Sequence, residues 1–93
     1  MQSRVFQVGA RSYNVISEEA TTDREEYTFR NLQEILHVKN DGDEVLQLRC
    51  NDPANDTIEI DPGEERVLPI KTTNVFVQAK DNTTKFRIIG YRE

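Results

Sequence analysis

Residues 46–70 read LQLRCNDPANDTIEIDPGEERVLPI, and this stretch decides the class of fold. Short apolar runs alternate in it with clusters of Asn, Asp, Pro and Gly. Such clusters recur at about ten-residue intervals through the second half of the chain, which is a strand-sized spacing typical of antiparallel sandwiches and barrels. The clusters are Asn40-Asp41-Gly42-Asp43, residues 51–56, Asp61-Pro62-Gly63-Glu64, Thr72-Thr73-Asn74 and residues 80–84.

Between these turns every second residue is apolar, which is the period of a strand with one buried face. The pattern predicts six strands after Ile35 and about two before it. A chain this short would leave an apolar face uncovered in one flat sheet, so we expect an all-β, two-sheet antiparallel sandwich of about seven to nine strands. Jelly-roll and immunoglobulin-like topologies both fit. The expected core residues are Leu46, Leu48, Ile58, Ile60, Val75, Val77, Phe86 and Ile88.

Two turns and one proline make local predictions. In Asp61-Pro62-Gly63-Glu64, Pro62 presets its own φ and Gly63 accepts a positive φ. Asn40-Asp41-Gly42-Asp43 likewise suggests positive φ and side-chain turn bonds. Pro69 cannot donate a ladder hydrogen bond, so its strand is expected at an edge or beside a bulge.

The N-terminal third is less clear. A first hairpin is expected from the alternating strand Arg4–Val8, a turn, and the apolar run 13–16. Residues 17–24 lack apolar periodicity and are predicted to be an exposed loop. Residues 23–33 allow either a short strand, which is favoured, or a short helix started by a capping box at Thr22 and Glu25.

The amino-acid composition excludes some classes of protein. The chain has 93 residues with 17 acidic and 12 basic side chains, a formal net charge of −5, which repels a phosphate backbone and argues against nucleic-acid binding. No run approaches the roughly 18 apolar residues of a membrane span. With one cysteine and no signal peptide after Met1, folding in a reducing cytosol is expected. One domain, residues 1–93, is predicted.

The residue types that carry chemistry do not form a known motif. His37, the single histidine, is expected to face solvent from mid-strand, and Cys50 to face the core as a small hydrophobe. Asp41, Asp43 and Glu44, with Asp52 or Asp56, lack the spacing of a calcium loop. We therefore predict no catalytic residue, no metal and no cofactor, and a protein that is not an enzyme.

The features from Ile35 to Gly90 resemble the small β-sandwich proteins of tailed-bacteriophage virions, such as capsid decoration, head-fibre, neck and tail accessory proteins. The matching elements are Val38-Lys39-Asn40-Asp41-Gly42-Asp43, Leu46-Gln47-Leu48, residues 58–64, Leu68-Pro69-Ile70, residues 73–79 and Phe86-Arg87-Ile88-Ile89-Gly90. The resemblance implies a structural virion protein, assembled in the host cytoplasm, that binds capsid, neck or tail partners and itself. A carbohydrate- or receptor-binding module is the alternative.

The interaction surface is predicted in the N-terminal third, where apolar side chains stand beside charged neighbours. Residues 1–34 are interpreted either as an arm and loop that cover a partner's strand edge or as a part that completes the sandwich. The proposed anchors are Val5, Phe6, Val8, Tyr27 and Phe29.

Overall fold

The computed structural model describes residues 12–92, which form eight strands and no helix. The strands lie in two four-stranded antiparallel sheets, which we call sheet A, of order β1-β8-β3-β6, and sheet B, of order β2-β7-β4-β5. The all-β two-sheet prediction is confirmed. The strands are β1 (Ser12–Ala20), β2 (Glu25–Gln33), β3 (Ile35–Asn40), β4 (Leu46–Cys50), β5 (Ile58–Ile60), β6 (Glu65–Leu68), β7 (Thr72–Ala79) and β8 (Thr84–Arg92).

The strand pairing is that of a jelly roll. β1 pairs with β8, β2 with β7, β3 with β6 and β4 with β5, so the chain forms one long nested hairpin. Additional pairing of β3 with β8 and of β4 with β7 rolls this hairpin into two sheets. Of the two topologies that the sequence left open, the structure has the jelly roll.

The core lies between the sheets and contains the predicted residues. Leu46, Leu48, Ile60, Val75, Val77, Phe86 and Ile88 are at most 1% exposed. Ile58 is the exception, because it is half-buried and packs against the edge of the core. Leu36, Val38, Phe29 and Leu68 complete the apolar interior.

The predicted exposed loop at residues 17–24 is wrong for residues 17–20, which are strand, and confirmed for residues 21–24, which form an exposed turn. β1 continues to Ala20, and its pairing with β8 runs without interruption from Ser12↔Arg92 to Ala20↔Thr84. β1 is an edge strand, so polar side chains can face water from it at little cost. Ile16 packs on the core and Ala20 is buried, but within residues 17–20 only Ala20 is apolar.

The strand interpretation of residues 23–33 is confirmed, since β2 covers Glu25–Gln33. The capping box does not form a helix. Instead, the Thr21 hydroxyl accepts a hydrogen bond from the Asp23 backbone N–H in the turn that leads into β2. A register shift between Thr28 and Gln33 interrupts the pairing with β7.

The turn predictions are half right. Gly63 has a φ of +79°, as expected for the third residue of its turn, and the Glu64 N–H donates to the Asp61 carbonyl at 2.9 Å. Gly42 is not in the positive-φ region. β6 is the outermost strand of sheet A and ends at Leu68, directly before Pro69, so the edge prediction is confirmed.

The predicted strand Arg4–Val8 lies outside the described residues. Residues 12–33 are integral strands of the two sheets, so this part of the N-terminal third completes the sandwich. No helix within residues 12–92 could cross a membrane.

Candidate functional site

A groove opens at one end of the sandwich, where the end of β1 meets the β3–β4 and β7–β8 turns. It consists of two adjoining depressions of about 310 and 280 Å³ that share Glu19, Asp41 and Lys85. We call it the acidic groove. The residues that line it are Ser17, Glu18, Glu19, Asp41, Gly42, Asp43, Thr83, Thr84, Lys85 and Phe86.

The buried side chain of Asn40 holds the rim of the groove in place. Its amide nitrogen donates to the carbonyls of Glu44, at 2.6 Å, and Ile60, at 2.9 Å. Its amide oxygen accepts from the Gly42 N–H at 3.1 Å and from the Thr84 hydroxyl at 2.7 Å. One buried amide therefore ties the β3–β4 turn to β5 and β8, which fixes two sides of the groove.

One carboxylate of the rim is already paired. The Arg87 Nε donates to Asp41 Oδ2 at 2.9 Å, and a second guanidinium nitrogen lies 3.4 Å from Asp41 Oδ1. This hydrogen bond to Arg87 is the main cause that lowers the pKa of Asp41.

The other charged groups of the groove have no such partner. Glu19 and Lys85 are cross-strand neighbours, yet no ion pair within residues 12–92 involves Glu18, Glu19, Asp43 or Lys85. As far as residues 12–92 go, three carboxylates and one ammonium therefore have no ion-pair partner and can contact a bound molecule.

Glu18 differs from Glu19 because its side chain lies on the inner face of β1. It is paired with Phe86, a core residue, and so faces the space between the sheets. Tyr27 lies across this space, with its ring 5.9 Å from the Phe86 ring in an edge-on contact. Burial, and then the negative charges of Glu18 and Glu25, raise the pKa of Tyr27. Glu18 and Phe86 thus line the groove, and Tyr27 packs against Phe86 from the other side of the interior.

His37 belongs to a second charged cluster on the outer face of sheet A. Its Nε2 lies 2.9 Å from Glu65 Oε2, and Lys39 Nζ lies 3.9 Å from Glu65 Oε1. The His37 side chain is 34% exposed, in agreement with its predicted solvent-facing position. The depression beside it has a volume of about 50 Å³, which is small against the roughly 300–1,000 Å³ of ligand pockets. Glu65 is distant from His37 in the sequence, so no local sequence motif predicts that the two residues pair.

Cys50 lies on the inner face of β4, as predicted. It is 6% exposed, and burial raises the pKa of its thiol. Gln33 is another buried polar residue: its amide nitrogen donates to the Asn31 carbonyl at 2.7 Å, and its Oε1 has no partner among the described residues. Gln33 packs against Gly90 in the interior and lines no part of the acidic groove.

Two of the five residues predicted to anchor a partner pack against other residues of the domain itself. Phe29 is 5% exposed and belongs to the core, and Tyr27 packs against Phe86. Val5, Phe6 and Val8 lie outside the described residues. An interface formed by these five residues stays a prediction.

Within residues 12–92, no three His, Cys, Asp or Glu side chains are grouped as metal ligands. The absence of a metal and of a cofactor stays a prediction.

No protein-family model matches the sequence, and no curated protein matches it significantly. Solved structures match it by fold. A Neisseria meningitidis protein has a TM-score of 0.59 at 12% identity, covering 98% of this chain and 88% of that one. A Salmonella typhimurium protein, provisionally assigned as ethanolamine utilization protein q, has a TM-score of 0.57 at 11% identity over 86% of this chain.

The chain spans 58% of the length of that Salmonella protein. The polyketide cyclase RemF from Streptomyces resistomycificus matches all of this chain and 81% of its own, with a TM-score of 0.50 at 18% identity. Chains described as cupins match with TM-scores of 0.47, which is too weak to argue from. At these identities the matches show the fold alone.

These comparisons overturn the virion interpretation. It rested on the order of strands and turns, and the solved structures that match this fold include a polyketide cyclase and a protein provisionally assigned to ethanolamine utilization. The names of these matched structures do not support the alternative of a carbohydrate- or receptor-binding module either.

The prediction that the chain is not an enzyme is corrected for the same reason, because an enzyme has this fold. The error came from treating the lack of a motif along the chain as evidence about its chemistry.

Proposed function

We propose that this jelly-roll domain binds a small organic cation in the acidic groove. The observation that carries the proposal is a set of carboxylates with no ion-pair partner among the described residues, Glu18 and Glu19 above all, around an opening of about 310 Å³. A volume of this order accommodates a small ligand, and the mouth of a rolled sheet is a common place for one.

Electrostatics favours a cation over an anion. The chain carries a net charge of −5. Four charged groups of the groove have no ion-pair partner within residues 12–92, and three of them are carboxylates. An ammonium group about 4 Å from one carboxylate at the protein surface gains on the order of 4 kcal/mol before desolvation is counted. Lys85, on the same rim, suits a hydroxyl or carbonyl oxygen of the ligand as hydrogen-bond acceptor.

The groove also has groups for acid–base chemistry. Glu18 and Glu19 can accept a proton and Lys85 can donate one, and Phe86 excludes water from one side. Fold relatives support a small-molecule role by their names, which refer to ethanolamine utilization and to polyketide cyclisation. Ethanolamine is itself a small organic cation with a hydroxyl group, so it is a suitable first probe.

Titration of ¹⁵N-labelled protein with ethanolamine and a panel of larger alkylamines and amino alcohols, followed by NMR, tests the proposal. We expect saturable shifts of the amides of residues 17–19, 41–43 and 83–86 with at least one amine. Ethylene glycol and glycolate, which are neutral and anionic, should produce none. Replacing both carboxylates, Glu18→Gln with Glu19→Gln, should weaken binding by at least about tenfold, equivalent to 1.4 kcal/mol.

Asp56→Asn is the matched control. Asp56 is an exposed carboxylate between β4 and β5, away from the groove, and binding should not change. The proposal fails if no amine in the panel gives saturable shifts at the groove, or if the double variant binds as tightly as the parent protein.

A further inference from the structure

Arg87 lies outside the acidic groove but is bonded to a residue that lines it. The Arg87 side chain borders the small depression beside His37 on the outer face of sheet A, and it is not among the residues that line the groove. Its guanidinium nonetheless contacts both carboxylate oxygens of Asp41, at 2.9 and 3.4 Å. Arg87 therefore affects a ligand in the groove through Asp41.

Asp41 lies where the two depressions of the groove adjoin. It lines both of them, together with Glu19 and Lys85, whereas Glu18 lines only the first depression and Asp43 only the second. The backbone of Asp41 is fixed in this place, since its N–H donates to the Lys85 carbonyl at 2.8 Å. A cation bound in either depression is thus next to a wall that contains the Asp41 carboxylate.

Two features allow the Asp41–Arg87 pair to open at little cost. Both side chains are accessible to solvent, Arg87 at 50% and Asp41 at 31% exposure, and exposed ion pairs contribute little free energy. Arg87 also has a second carboxylate in its surroundings. The hydrogen bond to Asp41 is the main cause that raises the pKa of Arg87, and the negative charge of Glu65 on β6 adds to it. The guanidinium can therefore leave Asp41 and keep an attractive neighbour.

We propose that Arg87 restricts the acidic groove to ligands with one ammonium group, because it keeps the central Asp41 carboxylate occupied. This inference rests on the proposed binding of an organic cation. While Asp41 is paired, the groove offers its other carboxylates to one ammonium group and Lys85 to an oxygen acceptor. Without Arg87, Asp41 becomes available between the two depressions to a second ammonium group. Arg87 is thus a positioning residue that sets the preference between a monoamine and a diamine, and such a preference is a difference of two affinities.

Two amines of the same chain length test the proposal. Butylamine has one ammonium group at pH 7, and 1,4-diaminobutane has two. Their dissociation constants are measured by NMR titration of the full chain and of Arg87→Gln. We expect Arg87→Gln to bind 1,4-diaminobutane at least about threefold more tightly, the effect of one exposed ion pair, and to change the affinity for butylamine less. A residue that only supports the fold would not produce tighter binding when it is removed, and circular dichroism checks that the variant stays folded.

Lys39→Gln is the matched control for the loss of a positive charge. Lys39 is the cross-strand neighbour of Arg87, and its ammonium lies near Glu65, not in a hydrogen bond with Asp41. Its removal changes the local field without releasing the Asp41 carboxylate, so both affinities should stay within about twofold of the parent values in physiological salt. The double variant, Asp41→Asn with Arg87→Gln, should lose the gain for 1,4-diaminobutane.

Three results would overturn the proposal: Arg87→Gln binds 1,4-diaminobutane no more tightly than the parent protein, the gain persists in the double variant, or Lys39→Gln gives the same gain. If the parent protein binds an amine saturably in the groove while any of these results is found, this proposal alone fails. If neither the parent protein nor Arg87→Gln binds any amine, the proposed function fails and this proposal fails with it.

Discussion

Gly42 and Gly63 occupy similar turns, but the structure requires them for different reasons. Gly63 has a positive φ and open space around the position of a Cβ atom. A Cβ on Gly42 would collide with the Thr84 hydroxyl and approach the Lys85 backbone nitrogen to 2.7 Å and the Thr84 Cα to 2.8 Å. The first is a conformational requirement. The second is a steric one, and backbone atoms cannot move aside as a flexible side chain can.

Replacing Ala by the larger Asn should therefore change the unfolding free energy in opposite directions at the two positions. Gly63→Ala should cost about 1 kcal/mol of unfolding free energy because of left-handed strain, and Gly63→Asn less, because Asn tolerates that region. Gly42→Ala should cost about 3 kcal/mol, and the larger Gly42→Asn more. Urea unfolding of the four variants measures these values. A smaller cost for Asn than for Ala at position 42 would contradict the steric explanation.

At the scale of elements, the pair Asp41–Arg87 connects the β3–β4 turn to the outer side of β8. The hydrogen bond lowers the pKa of Asp41 below its value in the unfolded chain. A carboxyl group of this kind stabilises the fold at pH values above its unfolded pKa. That contribution is lost as the pH falls through the folded pKa. Both groups are solvent-exposed, so screening keeps the effect small.

Asp41→Asn should thus lower stability modestly at pH 7, and the difference from the parent protein should shrink as the pH falls below about 4. Thermal unfolding of both proteins across this range measures the difference. Asp56→Asn, a change in a carboxylate with no arginine partner among the described residues, should leave the melting temperature at pH 7 unchanged. A constant difference between Asp41→Asn and the parent protein down to pH 2 would show that charge is not the cause.

At the scale of the whole molecule, the two sheets share one core, and Cys50 lies in it. The buried thiol has a raised pKa, so little thiolate forms in the native state, and a reagent cannot reach it without separation of the sheets. Its reactivity therefore reports opening of the entire sandwich.

We expect a disulfide reagent at pH 8 to label Cys50 slowly in native protein and at the rate of a free thiol in urea. The labelling rate should follow the unfolding transition seen by circular dichroism. Thr28→Cys in a Cys50→Ala background provides an exposed thiol on the same chain, and it should react at once. Equally fast labelling of native Cys50 would mean that β4 opens locally.

The local features of this protein can be predicted from its amino-acid sequence. Alternation of apolar residues is a property of neighbours along the chain, so it predicted strands β3 to β8 and the inward-facing core residues between positions 46 and 88. Turn residues and proline also act locally, so they predicted the turn at Gly63 and the edge position before Pro69. The alternation pattern is weak in the edge strand β1, because an edge strand needs few apolar residues. Residues 17–20 of β1 therefore resemble a loop.

Strand pairing required the folded structure, because the partners of each strand lie far away in the sequence. The pairing of β1 with β8 and of β2 with β7 cannot be deduced from any window of sequence, yet it makes the fold a jelly roll. The same pairing brings Glu18, Asp41 and Lys85 to one groove and joins His37 to Glu65. The sequence does not predict the candidate site, because its residues become neighbours only when the nested hairpin rolls into two sheets.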